Sequence, residues 1–196
     1  MNALAEKKIH LAFILVLIIA CIMMPVRVGE ASLFDTGSKV GSGDTAPPFT
    51  MKDLKGNEVN LSEHLGQKVI LLDFWSIYCA PCVEEMPGLI ELYNKYNGDG
   101  LEVFGISLDS HFNARRLNKF VESFDQRIPY PIIHDAKSEL RRLYGVSTLP
   151  TTIIVGVGGK VKLFHIGFQR EDKAMIDNYI RQLMTELDGG PEVLAH

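Results

Sequence analysis

The chain reads as an α/β protein, a mixed sheet covered by helices on both faces. Three observations carry this. The apolar run Val69–Trp75 has the length of a buried strand and passes directly into a helical pattern. A second apolar run, Leu101–Leu108, follows that helix and completes a strand–helix–strand unit, whose crossover is expected to be right-handed. Two further apolar segments meet across Gly158-Gly159 and lead into a closing helix.

The elements follow in order. Phe49–Leu54 and Glu58–Leu61 flank Lys55-Gly56-Asn57 and read as a β-hairpin. Ser62–Leu65 has the look of one helical turn. Lys68–Trp75 is the central strand, and Ala80–Tyr96 the first long helix. Pro87 falls inside that helix and is expected to kink rather than end it, because Leu89, Ile90, Leu92, Tyr93 and Tyr96 continue the apolar spacing. After the strand Leu101–Leu108, Phe112–Phe124 carries apolar residues at helical spacing. Pro131–His134 reads as a short strand and Lys137–Tyr144 as a short helix. Thr151–Val157 and Lys160–Ile166 make the second hairpin. Glu171–Leu187 closes the domain, with Met175, Ile176, Tyr179, Ile180 and Leu183 on its apolar face.

Composition bounds the rest. With 196 residues, 46% of them hydrophobic and 22% charged, the chain suits one globular domain with a full core. A formal charge of −4 gives no reason to expect a nucleic-acid partner. Lys7 and Lys8 precede the apolar stretch Leu11–Met24, and Gly29-Glu30-Ala31 supplies small residues, so residues 1–31 read as a signal peptide cleaved after Ala31 or as a membrane anchor. Ile18-Ile19-Ala20-Cys21 offers a third fate, lipid attachment at Cys21. Residues 32–43 are polar and Gly/Ser-rich and form a linker; 44–188 is the globular domain and 189–196 a tail. An exported protein, periplasmic or otherwise extracytoplasmic, is the expectation.

Of the three cysteines, only Cys79 and Cys82 lie beyond the leader. The pair sits in Cys79-Ala80-Pro81-Cys82, where the central strand hands over to a helix. Unpaired amide groups and the helix dipole favour a thiolate there. A thiolate attacks disulfides, and a second thiol one turn away can resolve the mixed disulfide that forms. Two residues enclose too small a loop for a structural cross-link to stabilise much. Zinc would need four ligands, and no second Cys or His pair stands at close spacing. Asp73, an acid within an apolar run six residues before Cys79, suits a proton acceptor whose affinity is raised by burial. Glu85, three residues after Cys82, falls on a neighbouring face of the same helix, and Glu84 reads as helix surface.

The run Asp73-Phe74-Trp75-Ser76-Ile77-Tyr78-Cys79-Ala80-Pro81-Cys82, with Pro87 and the distant Leu149-Pro150-Thr151, resembles the thioredoxin superfamily. Gly43-Asp44-Thr45-Ala46-Pro47-Pro48-Phe49, Glu85-Met86-Pro87 and the extra segment Asp109–His134 resemble its TlpA/ResA-type branch of thiol–disulfide oxidoreductases. The resemblance runs from about Gly43 to Leu187. It implies a thioredoxin-like fold with an N-terminal β-hairpin and an inserted helix–strand segment. It further implies a reductase of disulfides in exported proteins such as apocytochrome c, with no cofactor beyond the dithiol and with recharging by a membrane donor of the DsbD/CcdA type. Cys79 is then the exposed nucleophile and Cys82 the buried resolving thiol. Asp73 and Glu85 serve as acid–base groups, although many members of the branch carry a neutral residue where Asp73 stands. Pro150 matches the cis-proline beside the cysteines, with Leu149 offering backbone to a client strand. Trp75 and Tyr78 shape substrate access, and Gly167 lets a partner chain approach.

Two other readings compete. A peroxiredoxin shares the Gly43–Phe49 opening and the inserted segment, but Ser76 replaces the usual threonine three residues before the cysteine and no arginine is evident. A copper chaperone would use Cys79, Cys82 and His134 or His165. A pure docking module would have little use for a reactive dithiol.

Overall fold

The computed structural model describes residues 40–187. The leader, most of the linker, Cys21 and the tail lie outside the described residues. Strands are β1 Thr50–Lys52, β2 Glu58–Asn60, β3 Val69–Trp75, β4 Leu101–Ser107, β5 Ile132–His134, β6 Thr151–Val155 and β7 Val161–Ile166. Helices are α1 Ala80–Tyr96, α2 Ala114–Ser123, α3 Glu139–Leu143 and α4 Asp172–Leu187. The main sheet runs β5-β4-β3-β6-β7; β5, β4 and β3 are parallel, and β6 and β7 are each antiparallel to their neighbour. β1 and β2 form a separate antiparallel hairpin, tied to β5 by a bridge between Asp53 and Ile133. This is the mixed sheet flanked by helices that the sequence leads one to expect, and its arrangement is thioredoxin-like.

Strand β3 is buried along its whole length because both faces of the sheet are covered. Leu71, Trp75, Val103 and Ile154 pack against Met86, Leu89 and Leu92 of α1 and Ile176, Ile180 and Leu183 of α4. Ile70, Leu72, Phe74, Phe104, Ile106 and Ile153 pack against Leu140 and Tyr144 near α3 and against Phe49 and Val59 of the N-terminal hairpin. Each such aliphatic or aromatic side chain contributes roughly 1.5–3 kcal/mol on full burial.

One line across the sheet organises the site. Ile132 of β5, Gly105 of β4, Asp73 of β3, Thr152 of β6 and His165 of β7 are successive register partners. Paired residues share a face, so these five point toward α1 and α4. Four of them are polar or glycine in a layer that is otherwise apolar.

Some element ends differ from expectation. The first hairpin is shorter, because the Asp53 carboxylate accepts from the backbone N–H of Lys55 and Asn57 and curls the chain early. The expected helix from Phe112 begins as a 3₁₀ turn over His111–Asn113, and Phe112 is 95% exposed rather than on the apolar face. A 3₁₀ turn advances fewer residues per turn than an α-helix, which rotates Phe112 away from the stripe formed by Leu117 and Phe120. α1 runs unbroken through Pro87 to Tyr96.

Candidate active site

Cys79 caps the N-terminus of α1 in an extended conformation, and Pro81 occupies the first turn, where its missing N–H costs no helical hydrogen bond. The backbone N–H of Cys82 points at Cys79 Sγ at 3.3 Å, and that of Val83 donates to the Cys79 carbonyl at 3.1 Å. The two sulfurs are joined in a disulfide, with Cα atoms 5.2 Å apart. Cys79 is half-buried, whereas Cys82 is only 2% exposed. The pair is therefore asymmetric: a partner can reach the outer sulfur, and the inner one is shielded by the core.

Beneath Cys82 the helix and sheet bring two acids together. Asp73 is 2% and Glu85 3% exposed. The link between them is Thr152, which lies opposite Asp73 in register and donates its hydroxyl to Glu85 Oε1 at 3.1 Å. Burial, and then the neighbouring Glu85 charge, hold the Asp73 carboxyl well above the ordinary carboxylate range. Burial lifts Glu85 to about 7, against the opposing pull of the Thr152 hydroxyl and His165 and with a smaller push from Asp172. Glu85 is a core residue, while Glu84 beside it is exposed, as expected of helix surface, and pairs with Arg170 at 3.0 Å.

Four buried side-chain atoms lack a hydrogen-bond partner among the described residues: Asp73 Oδ1, Glu85 Oε2, Trp75 Nε1 and Tyr130 Oη. They belong to one neighbourhood. A Cβ on Gly105, the register partner of Asp73, would stand 3.3 Å from Trp75 Nε1 and 3.4 Å from the Tyr130 ring, and only 2.6 Å from Ile132 Cδ1. Glycine at 105 is thus what lets both rings close over the acid. The Tyr130 hydroxyl is pushed up by burial and by the charges of Asp73 and Glu85.

Trp75 requires a correction. It is fully buried and packs on Phe120 with ring centroids 5.7 Å apart, so it offers no surface to a substrate. Its parity on β3 turns it inward, onto the same face as Asp73. Tyr78 does stand at the surface, 62% exposed. Its hydroxyl donates to Asn113 Oδ1 at 3.1 Å and accepts from Arg116 at 2.9 Å, which ties the loop before Cys79 to the inserted segment. The Leu149-Pro150 peptide is cis, and pairing of Thr151 with Phe74 sets it at the end of the sheet where β3 runs into the cysteine loop. Leu149 is half-buried there. Gly167, at φ 88°, donates its N–H to the Pro150 carbonyl at 2.9 Å and so supports that turn.

Asp109 is a residue whose part sequence reasoning missed. It is 3% exposed and accepts from Ser76 Oγ at 2.8 Å, the Ile77 N–H at 3.1 Å and Ser107 Oγ at 2.8 Å. One buried carboxylate thus holds the loop that presents Cys79. The available signal was an acid two residues beyond Ser107, at the end of an apolar strand. The Ser76 hydroxyl is occupied by this contact, and the arginine nearest in the hydrogen-bond pattern, Arg116, is on Tyr78. His134 Nε2 bonds the Asp109 carbonyl at 2.8 Å, and His165 Nε2 lies 2.9 Å from Asp172 Oδ2. Among the described residues no cluster of three or more His, Cys, Asp or Glu side chains is arranged to hold a metal.

Comparison with known proteins agrees with this geometry. The sequence profile of the AhpC/TSA family matches residues 42–164. The thiol-disulfide oxidoreductase ResA of Geobacillus thermodenitrificans is 35% identical over 157 residues, 80% of this chain and 86% of that protein. ResA of Bacillus thuringiensis subsp. konkukian is 32% identical over 178 residues, 90% of this chain and 98% of its own. Among solved structures, a Chlorobium tepidum protein assigned as the thiol:disulfide interchange protein DsbE superposes with a TM-score of 0.68 at 32% identity, covering 74% of this chain and 99% of that one. The pneumococcal exposed lipoprotein thioredoxin of Streptococcus pneumoniae gives a TM-score of 0.58 at 25% identity over 72% of this chain and all of its own. With its cysteine pair, cis-proline and sheet order in place, the chain belongs to the AhpC/TSA family, among the ResA-like thiol–disulfide oxidoreductases.

Proposed function

We propose that this oxidoreductase works outside the cytoplasm in the reducing direction. Cys79 thiolate attacks a client disulfide, one client sulfur leaves, and Cys82 then attacks Cys79 and releases the other. Two electrons pass to the client and the Cys79–Cys82 disulfide remains. The observation that carries this reading is the buried acid pair under the inner sulfur. A buried carboxylate whose proton affinity is raised toward neutral pH can take the Cys82 proton as that thiol attacks. Asp73 and Glu85 are assigned that part, Tyr78 the rim of the client site, and Leu149 and Pro150 the backbone edge along which an extended client segment lies.

Export is supported by the leader-like residues 1–31, with residues 32–43 as linker to the domain at 44–188 and residues 189–196 as tail. The similarity to an exposed lipoprotein thioredoxin keeps lipid attachment at Cys21 beside cleavage after Ala31 and retention as a membrane tether. No helix among the described residues is long and apolar enough to cross a membrane. The clients are extracytoplasmic proteins with neighbouring cysteines, apocytochrome c among them, and a membrane thiol donor of the DsbD/CcdA type restores the dithiol.

Cys82→Ala made in the native host tests this. It should accumulate mixed disulfides on Cys79 with exported clients, and the wild-type protein should be largely reduced in the cell. Capture of cytoplasmic proteins only, or a wild-type pool held oxidised with no client captured, would contradict the reading. Peroxide consumption by the purified dithiol at the expense of disulfide exchange would move it to the peroxidase class.

A further inference from the structure

The polar line across the sheet does not stop at the acids. Its last member, His165 of β7, is the register partner of Thr152, and it lies on the face where the Thr152 hydroxyl meets Glu85. His165 keeps 24% of its side-chain surface exposed and Asp172 keeps 18%, whereas Asp73 and Glu85 are almost fully covered. The Asp172 carboxylate holds His165 Nε2 at 2.9 Å and accepts from the Gln169 N–H, so its position is set by the turn that starts α4. The line therefore runs from under Cys82 to water.

We propose that His165, oriented by Asp172, carries protons between the buried acid pair and solvent. This rests on the acid–base part assigned above to Asp73 and Glu85. The balance is as follows. Cys79 thiolate attacks the outer disulfide, a Cys79–sulfur bond forms, and the first leaving thiolate takes a proton from water. Cys82 S–H gives its proton to the acid pair. The Cys82 thiolate attacks Cys79 Sγ, the Cys79–Cys82 bond forms, and the second thiolate leaves. As the acid pair takes the Cys82 proton, Glu85 passes one to the imidazole, which gives it to water, so formation of the Cys82 thiolate, and with it the closing step, depends on the relay. An imidazole suits this step because it both accepts and releases a proton near neutral pH.

The groups around Glu85 leave this part to His165. Asp73 faces Glu85 from β3, Thr152 from β6, His165 from β7, Asp172 from the start of α4, and Tyr130 from the segment before β5. The cations beside the groove of about 580 Å³ between α1 and α4 are Arg170 and Lys173, and they are taken by Glu84 and Glu91. Of the cationic side chains, it is the imidazole whose charge acts on Glu85.

His165 acts through Glu85 and does not touch the reacting sulfurs, so its loss should slow one step alone. The test uses the reduced full-length protein with Cys21→Ser, mixed with dithiobis-nitrobenzoate. Attack by Cys79 releases one thionitrobenzoate, and closure by Cys82 releases the second. His165→Gln should leave the first release unchanged and slow the second at least ~10-fold near neutral pH, less than removal of a group that itself takes the proton. Added imidazole should restore the second release in His165→Gly. Asp172→Asn should slow the same phase, and it serves as the readout should His165→Gln fail to fold. A second release at the parent rate in these variants, or equal slowing of both releases with no rescue by imidazole, would overturn the relay. Absence of the first release in the parent protein would instead sink the role of Cys79, and the relay with it.

Discussion

The two faces of the central sheet are built on different terms. On the α3 side, Ile70, Leu72, Phe74, Phe104, Ile106 and Ile153 form an apolar layer, and the one polar tip among the large residues there, the Tyr144 hydroxyl, donates to the Pro47 carbonyl at 2.7 Å. On the α1 side the sheet carries Asp73, Thr152 and His165, and the four buried polar atoms without a partner among the described residues belong to this layer. An unsatisfied buried polar group costs about 1–3 kcal/mol. That cost is concentrated under the redox pair, where shifted proton affinities are useful, and is kept off the other face. The chemistry thus draws on one side of the sheet, while the other side contributes packing alone.

Substitutions on the two faces should separate accordingly. Cys79→Ser should abolish disulfide exchange, measured as reduction of insulin or of a dithio-nitrobenzoate, while leaving the denaturation midpoint of the reduced protein nearly unchanged. Phe74→Ala should do the reverse. It should cost about 3–5 kcal/mol of unfolding free energy in a denaturant titration, with exchange by the remaining folded fraction retained. Equal loss of chemistry and stability in both variants would erase the distinction between the faces.

The next effect is a pH dependence. Glu85 has an ordinary carboxyl in the unfolded chain but holds its proton up to about 7 when folded. The folded state then binds more protons than the unfolded state between the two values; beside a fall of the same sign from Asp73, the Glu85 carboxyl should lower stability as pH rises from the ordinary Glu range to about 7, where its own share of the fall ends. That share should be on the order of 3 kcal/mol. Denaturant midpoints of the oxidised protein across that range would show it, and Glu85→Gln should make the curve shallower, leaving the part due to Asp73. A curve that rises through this window would contradict the buried acid pair.

Smaller effects belong to the loop that presents Cys79. Asp109→Ala leaves the Ile77 N–H and two serine hydroxyls without their acceptor and should cost about 1–3 kcal/mol, with slower attack by Cys79 in a stopped-flow exchange assay. Tyr78→Phe removes an exposed hydroxyl between Asn113 and Arg116 and should change stability by less than about 1 kcal/mol.

What could be read from the sequence follows the same division. β3, α1, the β6–β7 hairpin and α4 are visible because their apolar periods are long and bounded by Gly, Pro or caps. The cysteine pair is visible because its chemistry is local. Asp73 stands out as an acid in an apolar run, and Pro150 is recognisable only by resemblance. The rest of the site is not local. Thr152, His165, Gly105 and Tyr130 reach Asp73 through strand register and segment packing, which no single window contains. Asp109 meets Ser76 because β3 and β4 are parallel neighbours ending together. Trp75 and Phe112 mislead for a different reason: one reads as a residue shaping access and the other as part of an apolar helix face, but the doubly covered β3 buries the first and a 3₁₀ turn exposes the second.

The inequality of the two sulfurs underlies all of these expectations. It is read most directly by alkylating the reduced protein with iodoacetamide across a pH series and mapping the label on Cys79 and Cys82 by mass spectrometry. Cys79 should react first at every pH, with a midpoint below that of a free thiol, and Cys82 should be labelled only slowly or after unfolding. Equal labelling of the two, or a Cys79 midpoint at or above the free-thiol value, would contradict the account.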